Sequence, residues 1–168
     1  KEDEAIIWRG PMLMGALQQM LFQVQWGDLD CLIIDLPPGT GDVQLSLSQK
    51  AHVDGAIMVS TPQDVALLDA RKGIDMFKRL NVPILGLIEN MAVHVCTNCG
   101  HVEHIFGHGG VAAEAAKLGV PLLGELPLHI DVRLGGDAGV PVVVSDPGST
   151  AAQAFQKLAR GLVTAGIA

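Results

Sequence analysis

"DCLIIDLPPGTGD", residues 30–42, runs four apolar residues, Cys31 to Ile34, into a carboxylate and then into a turn. A short apolar run of this kind suits a strand buried on both faces of a parallel sheet, and 30–36 is predicted as one. Asp35 then stands at the carboxyl end of that strand, where a carboxylate can hold Mg²⁺, directly or through water, beside the phosphates of a nucleotide. Pro37 and Pro38 stiffen the turn, while Gly39 and Gly41 leave backbone N–H groups open to an anion. A plainer reading is equally open from these residues: Asp35 caps the next helix, and the turn only reverses the chain. Cys31 reads as a small buried hydrophobe.

Outward from this stretch the pattern repeats. "GAIMVS" (55–60) and "PILGLIEN" (83–90) are further buried-strand runs, and "PLLGEL" (121–126) and "PVVVS" (141–145) are weaker ones. Helical patterns alternate with them. "PQDVALLDARKGIDMFKRL" (62–80) places Val65, Leu68, Ile74 and Phe77 near one face, with Thr61 as its N-cap and Asp64 in its first turn. "PMLMGALQQMLFQVQWG" (11–27) carries a stripe of Met12, Leu13, Ala16, Leu17, Met20, Leu21 and Val24, which reads as core. "STAAQAFQKLARGLV" (149–163) is a last helix, capped by Ser149 or Thr150. Strand and helix in alternation predict one α/β domain, doubly wound, its mostly parallel sheet covered by helices on both faces. Ligands in such a domain sit at the carboxyl ends of the strands, so the loops after Asp35, Ser60, Asn90 and Leu126 are the ones to read.

Composition narrows the partners. In 168 residues, 18 acidic against 11 basic side chains give a net charge of -7, and the scattered Lys and Arg offer no footprint for nucleic acid. No stretch approaches the roughly eighteen apolar residues of a membrane span, which predicts a soluble chain without a membrane partner. Three cysteines, two of them in a C-x-x-C, fit a reducing compartment and a metal or redox site better than a disulfide framework. The start, "KEDEAIIWRG", has neither an initiator Met nor the order of a secretory signal, which predicts a chain that begins partway through a longer protein.

"HVCTNCGHVEHIFG" (94–107) holds that pair, Cys96 and Cys99, with His101 and His104 close behind. From the residues alone several readings stand side by side. A zinc knuckle completed by His101 with His104 or His108 would close the site in one chain, although the spacing is short for it. A redox dithiol would want a helix starting at the first cysteine, and none is predicted. A surface pair without a role is a third reading. The fourth is a shared site, in which two chains each donate two thiolates to a [4Fe–4S] cluster. "FGHGGVAAEAA" (106–116) matches G-x-G-x-x-A, but no long buried strand precedes it; its glycines are expected to turn the loop into a helix at 111–118.

"IIDLPPGTGD", "STPQDVALLDA", "IENM", the C-x-x-C and "IFGHGG", in this order, resemble the Mrp/ApbC family of P-loop ATPases that carry iron–sulfur clusters, from "WRGPM" at Trp8 to the last helix. The bacterial Mrp and mitochondrial Ind branches are the most similar, within the group of MinD and the nitrogenase iron protein. The resemblance implies a P-loop NTPase fold and an ATP-binding homodimer. It implies Asp35 as the catalytic Walker B acid with Mg²⁺, Gly39 as a γ-phosphate-sensing glycine and Asn90 as a hydrogen-bonding partner of the base. Asn90 can equally cap the turn after its strand. The family places a labile [4Fe–4S] cluster on the C-x-x-C pairs of two subunits, here Cys96 and Cys99, and hands it to apo iron–sulfur proteins in the cytoplasm or the mitochondrial matrix. The family's glycine-rich G-K-G-G-V-G-K-[ST] loop is absent from these 168 residues, so a C-terminal portion is expected, with an unpaired sheet edge and little ATP binding or hydrolysis by itself. Two other readings remain: a zinc-binding module on the same cysteines, and a MinD- or ParA-like positioning ATPase, against which the C-x-x-C and the plain tail "GLVTAGIA" argue.

Overall fold

The structure is a computed structural model that describes residues 10–37 and 39–167; Trp8 and Pro38 lie outside the described residues. Helices α1 (Gly10–Phe22) and α2 (Asp42–Lys50) come first. Strand β1 (Ala56–Ser60), helix α3 (Asp64–Arg79) and strand β2 (Ile84–Glu89) come next. A small hairpin of β3 (His94–Val95) and β4 (Val102–Glu103) leads to α4 (Gly110–Leu118) and β5 (Leu122–Glu125). Helices α5 (Ile130–Ala138), α6 (Val142–Ser145) and α7 (Thr150–Thr164) complete the order.

The main sheet is parallel, in the order β1-β2-β5. Its core forms where α3 and α4 lie across it: Leu67, Ile74, Leu87, Val111 and Ala115 are buried together, with Met58, Ile84 and Leu122 against them. Successive strand residues face opposite ways, so Ile88 turns away from Leu87, and Gly124 is its ladder partner. There Leu158 of α7 packs 3.2 Å from the place a Cβ on Gly124 would take, so helices cover both faces. The register Ser60 with Glu89, and Glu89 with Glu125, brings the carboxyl ends of all three strands to one edge.

The expected strands at 55–60, 83–90 and 121–126 form, and two others do not. Residues 31–37 adopt no strand, and Ile33 is 84% exposed. A parallel strand exists through its ladder, and among the described residues 30–36 pairs with no strand, β1 being bonded to β2 alone. Leu36 alone is anchored, against Leu17, Val43 and Leu47 of the α1–α2 layer. Cys31 is therefore exposed and not buried. The second correction is "PVVVS", which forms the short helix α6. Val142 seals a small core with Ala151 and Ala152 of α7, and that packing overrides the strand preference of three valines.

Two helix faces also differ from expectation. In α3 the buried line is Leu67, Gly73, Ile74 and Phe77, while Val65 and Leu68 face solvent, and Gln63 takes the N-cap position instead of Thr61. In α1 only Leu17 is buried, with Met14 and Leu21 half-buried beside it. Met12, Leu13, Met20 and Val24 are exposed, because α1 packs on the single helix α2 and one neighbour covers one line of side chains. The last helix starts as read, with Ser149 Oγ accepting the Ala152 N–H at 3.2 Å.

Candidate functional site

The Asp35 loop takes its shape from the residues on its C-terminal side. Gly39 has φ +93°, a left-handed conformation that suits glycine, and α2 begins three residues later. From inside α2, the buried Gln44 reaches back and donates through Nε2 to the carbonyls of Pro37 (2.7 Å) and Gly39 (3.0 Å). Its Oε1 is buried with no hydrogen-bond partner among the described residues. Asp35 itself is exposed and lies outside the sheet. The turn is thus held through its backbone by a side chain the sequence reading passed over. A glutamine three residues into a helix after a Pro-Gly turn was the available signal.

Asn90 follows β2 at the carboxyl edge. Its N–H donates to the Ser60 carbonyl (2.7 Å), and its Oδ1 accepts the N–H of Met91 (3.0 Å). Met91 takes a left-handed φ of +55°, unusual for a residue with a side chain. The turn-capping role is thus present in the geometry.

Cys96 and Cys99 sit in the turn of the β3–β4 hairpin, closed by Cys96 N–H to the His101 carbonyl (2.9 Å) and Gly100 N–H to the Cys96 carbonyl (2.8 Å). Cys96 is half-buried and Cys99 exposed, both as free thiols. The Cys96 thiol is pulled below its ordinary value because the backbone N–H groups of Cys99 and Asn98 donate to its sulfur, with the Cys99 side chain adding to them. A turn that aims amides at sulfur favours the thiolate, the form that binds metal. No helix begins at Cys96, so the redox-dithiol geometry is not met.

His104 is engaged elsewhere, and His101 is exposed. His104 Nδ1–H donates to the Ala92 carbonyl (2.8 Å) and its ring lies against that of His108, centroids 4.4 Å apart. His101 Nε2 lies 3.9 Å from Glu103. Among the described residues no three His, Cys, Asp or Glu side chains converge to hold a metal ion, so a single-chain zinc knuckle is not assembled. The glycines of "FGHGG" take the turning role expected of them: Gly107 and Gly109 have φ +94° and +71° on the way into α4. Glu89, fully buried beside Asn90, was missed; a carboxylate closing the apolar run "PILGLIE" was its signal. No helix of the described residues is long and apolar enough to cross a membrane.

Residues 1–163 match a family model described as ParA, NUBPL iron-transfer P-loop NTPase. The chain is 53% identical over 158 residues to an iron-sulfur cluster carrier protein of Pseudomonas fragi, covering 94% of this chain and 55% of that protein. It is 50% identical over 163 residues to the mouse iron-sulfur cluster transfer protein NUBPL, covering 97% of this chain and 51% of that protein. The chain thus spans about half the length of the curated relatives it matches. Among solved structures it is similar to the cell division ATPase MinD of Pyrococcus furiosus, with a TM-score of 0.70, 25% identity, and 96% of this chain on 63% of that one. The family match over residues 1–163 shows it, and the parallel α/β fold agrees: this chain belongs to the NUBPL iron-transfer family of P-loop NTPases.

Proposed function

We propose that the chain is part of an ATP-binding iron–sulfur cluster carrier. Two subunits each present Cys96 and Cys99, and together they hold one [4Fe–4S] cluster as cargo for apo iron–sulfur proteins. The observation that carries this is the hairpin: it projects two free thiols, one favoured as thiolate by turn amides, while His104 is bonded elsewhere. Two thiolates are half a cluster's ligands, and a symmetric partner supplies the rest. Cargo held between subunits leaves more readily than cargo enclosed in one.

Nucleotide would lie at the carboxyl edge of the sheet, with Asp35 on the Mg²⁺ side, the Gly39 loop at the γ-phosphate and Asn90 at the base. Gln44 holds that loop in shape. The names of the bacterial and mouse relatives support the carrier reading. Such a carrier would work in the cytoplasm or the mitochondrial matrix. The ATPase activity belongs to the longer protein that supplies the remaining phosphate contacts; these 168 residues alone would bind Mg-ATP weakly in a calorimetric titration.

Elemental analysis after anaerobic reconstitution of the full-length protein tests the reading. About two irons per chain are expected, with either Cys96→Ser or Cys99→Ser abolishing stable loading, since symmetry removes two of four thiolates at once. Replacing Cys31, or His101 with His104, should leave loading intact. One zinc per chain, lost on mutating His101 or His104, would sink the proposal in favour of a zinc module.

A further inference from the structure

Glu89 ends β2 with 0% of its surface exposed, in a run that is otherwise apolar. A carboxylate so placed is costly unless its oxygens are satisfied, and two amides satisfy them. The Gly109 N–H donates to Oε1 at 3.2 Å and the Val111 N–H to Oε2 at 2.9 Å. These amides belong to the N-cap and second residue of α4, whose own N-cap, a glycine, offers no side chain. Helices are ordinarily capped by a Ser, Thr, Asp or Asn of their own. Here the cap comes from another element, the strand that leads into Asn90.

Neighbouring bonds turn the cap into a clamp. The Ala92 N–H donates to the Leu126 carbonyl (3.0 Å), and the Ala92 carbonyl accepts from His104 (2.8 Å). The hairpin bearing Cys96 and Cys99 leaves after Ala92 and returns at His104. Residues 89–92 and 104–111 are therefore joined at both ends, with the cysteines carried between them.

We infer that Glu89 is a positioning residue that couples the nucleotide loop at Asn90 to the C-x-x-C hairpin, by holding the start of α4 against the end of β2. This rests on the carrier reading above. A base engaging Asn90 stiffens or displaces the 89–92 backbone, and the two carboxylate bonds pass that change to the segment on which the hairpin closes. Spatial linkage alone does not establish coupling, so the test must read the coupling itself.

The full-length protein is reconstituted anaerobically, and cluster release to an iron(II) chelator is timed with and without Mg-ATP. Glu89→Gln keeps the shape and one acceptor oxygen but sets an NH₂ group against an N–H. Wild type is expected to show a nucleotide effect of about fivefold or more, within the usual range for coupled sites, and E89Q one within about twofold of unity, with iron loading unchanged. An E89Q protein that is less stable yet keeps the whole nucleotide effect makes Glu89 a structural cap only and overturns the inference. Wild type gives a second readout that needs no variant: amide exchange at Gly109 and Val111 slows when Mg-ATP binds. Exchange there that ignores Mg-ATP while Asn90 responds also overturns it. Iron loading that survives Cys96→Ser and Cys99→Ser, measured without nucleotide, would remove the carrier reading itself and the coupling with it.

Discussion

Gly110 opens α4 where that helix meets the loop between β1 and α3. A Cβ added there would lie 2.5 Å from the Pro62 carbonyl oxygen and 3.0 Å from Leu67 Cδ1. The first neighbour is backbone and cannot swing aside, so α4 or the loop must shift by about half an ångström, against a packed core. Overpacking of this kind costs about 1–3 kcal/mol, and the gain from alanine over glycine in a helix offsets at most about 1 kcal/mol of it. Gly110→Ala is therefore expected to destabilise by about 1–2 kcal/mol. Gly161, inside α7, supplies the control: nothing lies within 4 Å of its added Cβ, so Gly161→Ala should stabilise by about 0.5–1 kcal/mol. Equilibrium urea unfolding of the full-length protein, followed by circular dichroism, reads both signs. With a slope of about 2 kcal/mol/M, the midpoint should fall by about 0.5–1 M for G110A and rise slightly for G161A. A G110A midpoint at or above wild type would refute the close-approach argument.

The same geometry sets other outcomes. Asp35→Asn in the full-length protein should leave the fold intact, because the side chain is exposed, and slow ATP hydrolysis by roughly 10²-fold; unchanged turnover moves the acid elsewhere. Glu114 is buried on α4, and the Arg71 guanidinium of α3, 2.7 Å away, holds its carboxyl below the ordinary value. A carboxyl depressed on folding stabilises above its unfolded value, about 4.3, and that stability is lost as pH falls through the lower folded value. Glu114→Gln should accordingly flatten the acid limb of a stability-against-pH curve, and an unchanged limb would assign it to other groups. Leu87, 1% exposed in the middle of the core, should lose about 2–5 kcal/mol as Leu87→Ala, read by thermal unfolding; a loss under about 1 kcal/mol would mean the sheet and α3–α4 are not packed as described.

Local chemistry made much of this molecule legible in its sequence. The runs at 55–60 and 83–90 are apolar until their last residues, a pattern that suits a strand covered on both faces, so the parallel sheet and its carboxyl edge could be read from them. The C-x-x-C turn, the Ser149 cap and the turning glycines are equally local, because each is set by residues within a few positions of itself. What the tertiary structure decided depended on neighbours distant along the chain. "DCLIIDL" has the composition of a strand, but a strand requires a ladder, and among the described residues none adjoins it. "PVVVS" has it too, yet the face offered by α7 makes a helical turn of it. Which side of α3 is buried turned on where the sheet lies, not on which residues are apolar. Glu89 is the clearest case. Its sequence neighbours say only that a charge ends a strand, whereas its partners, twenty and twenty-two residues away, make it the joint between the two loops that carry Asn90 and the cysteines.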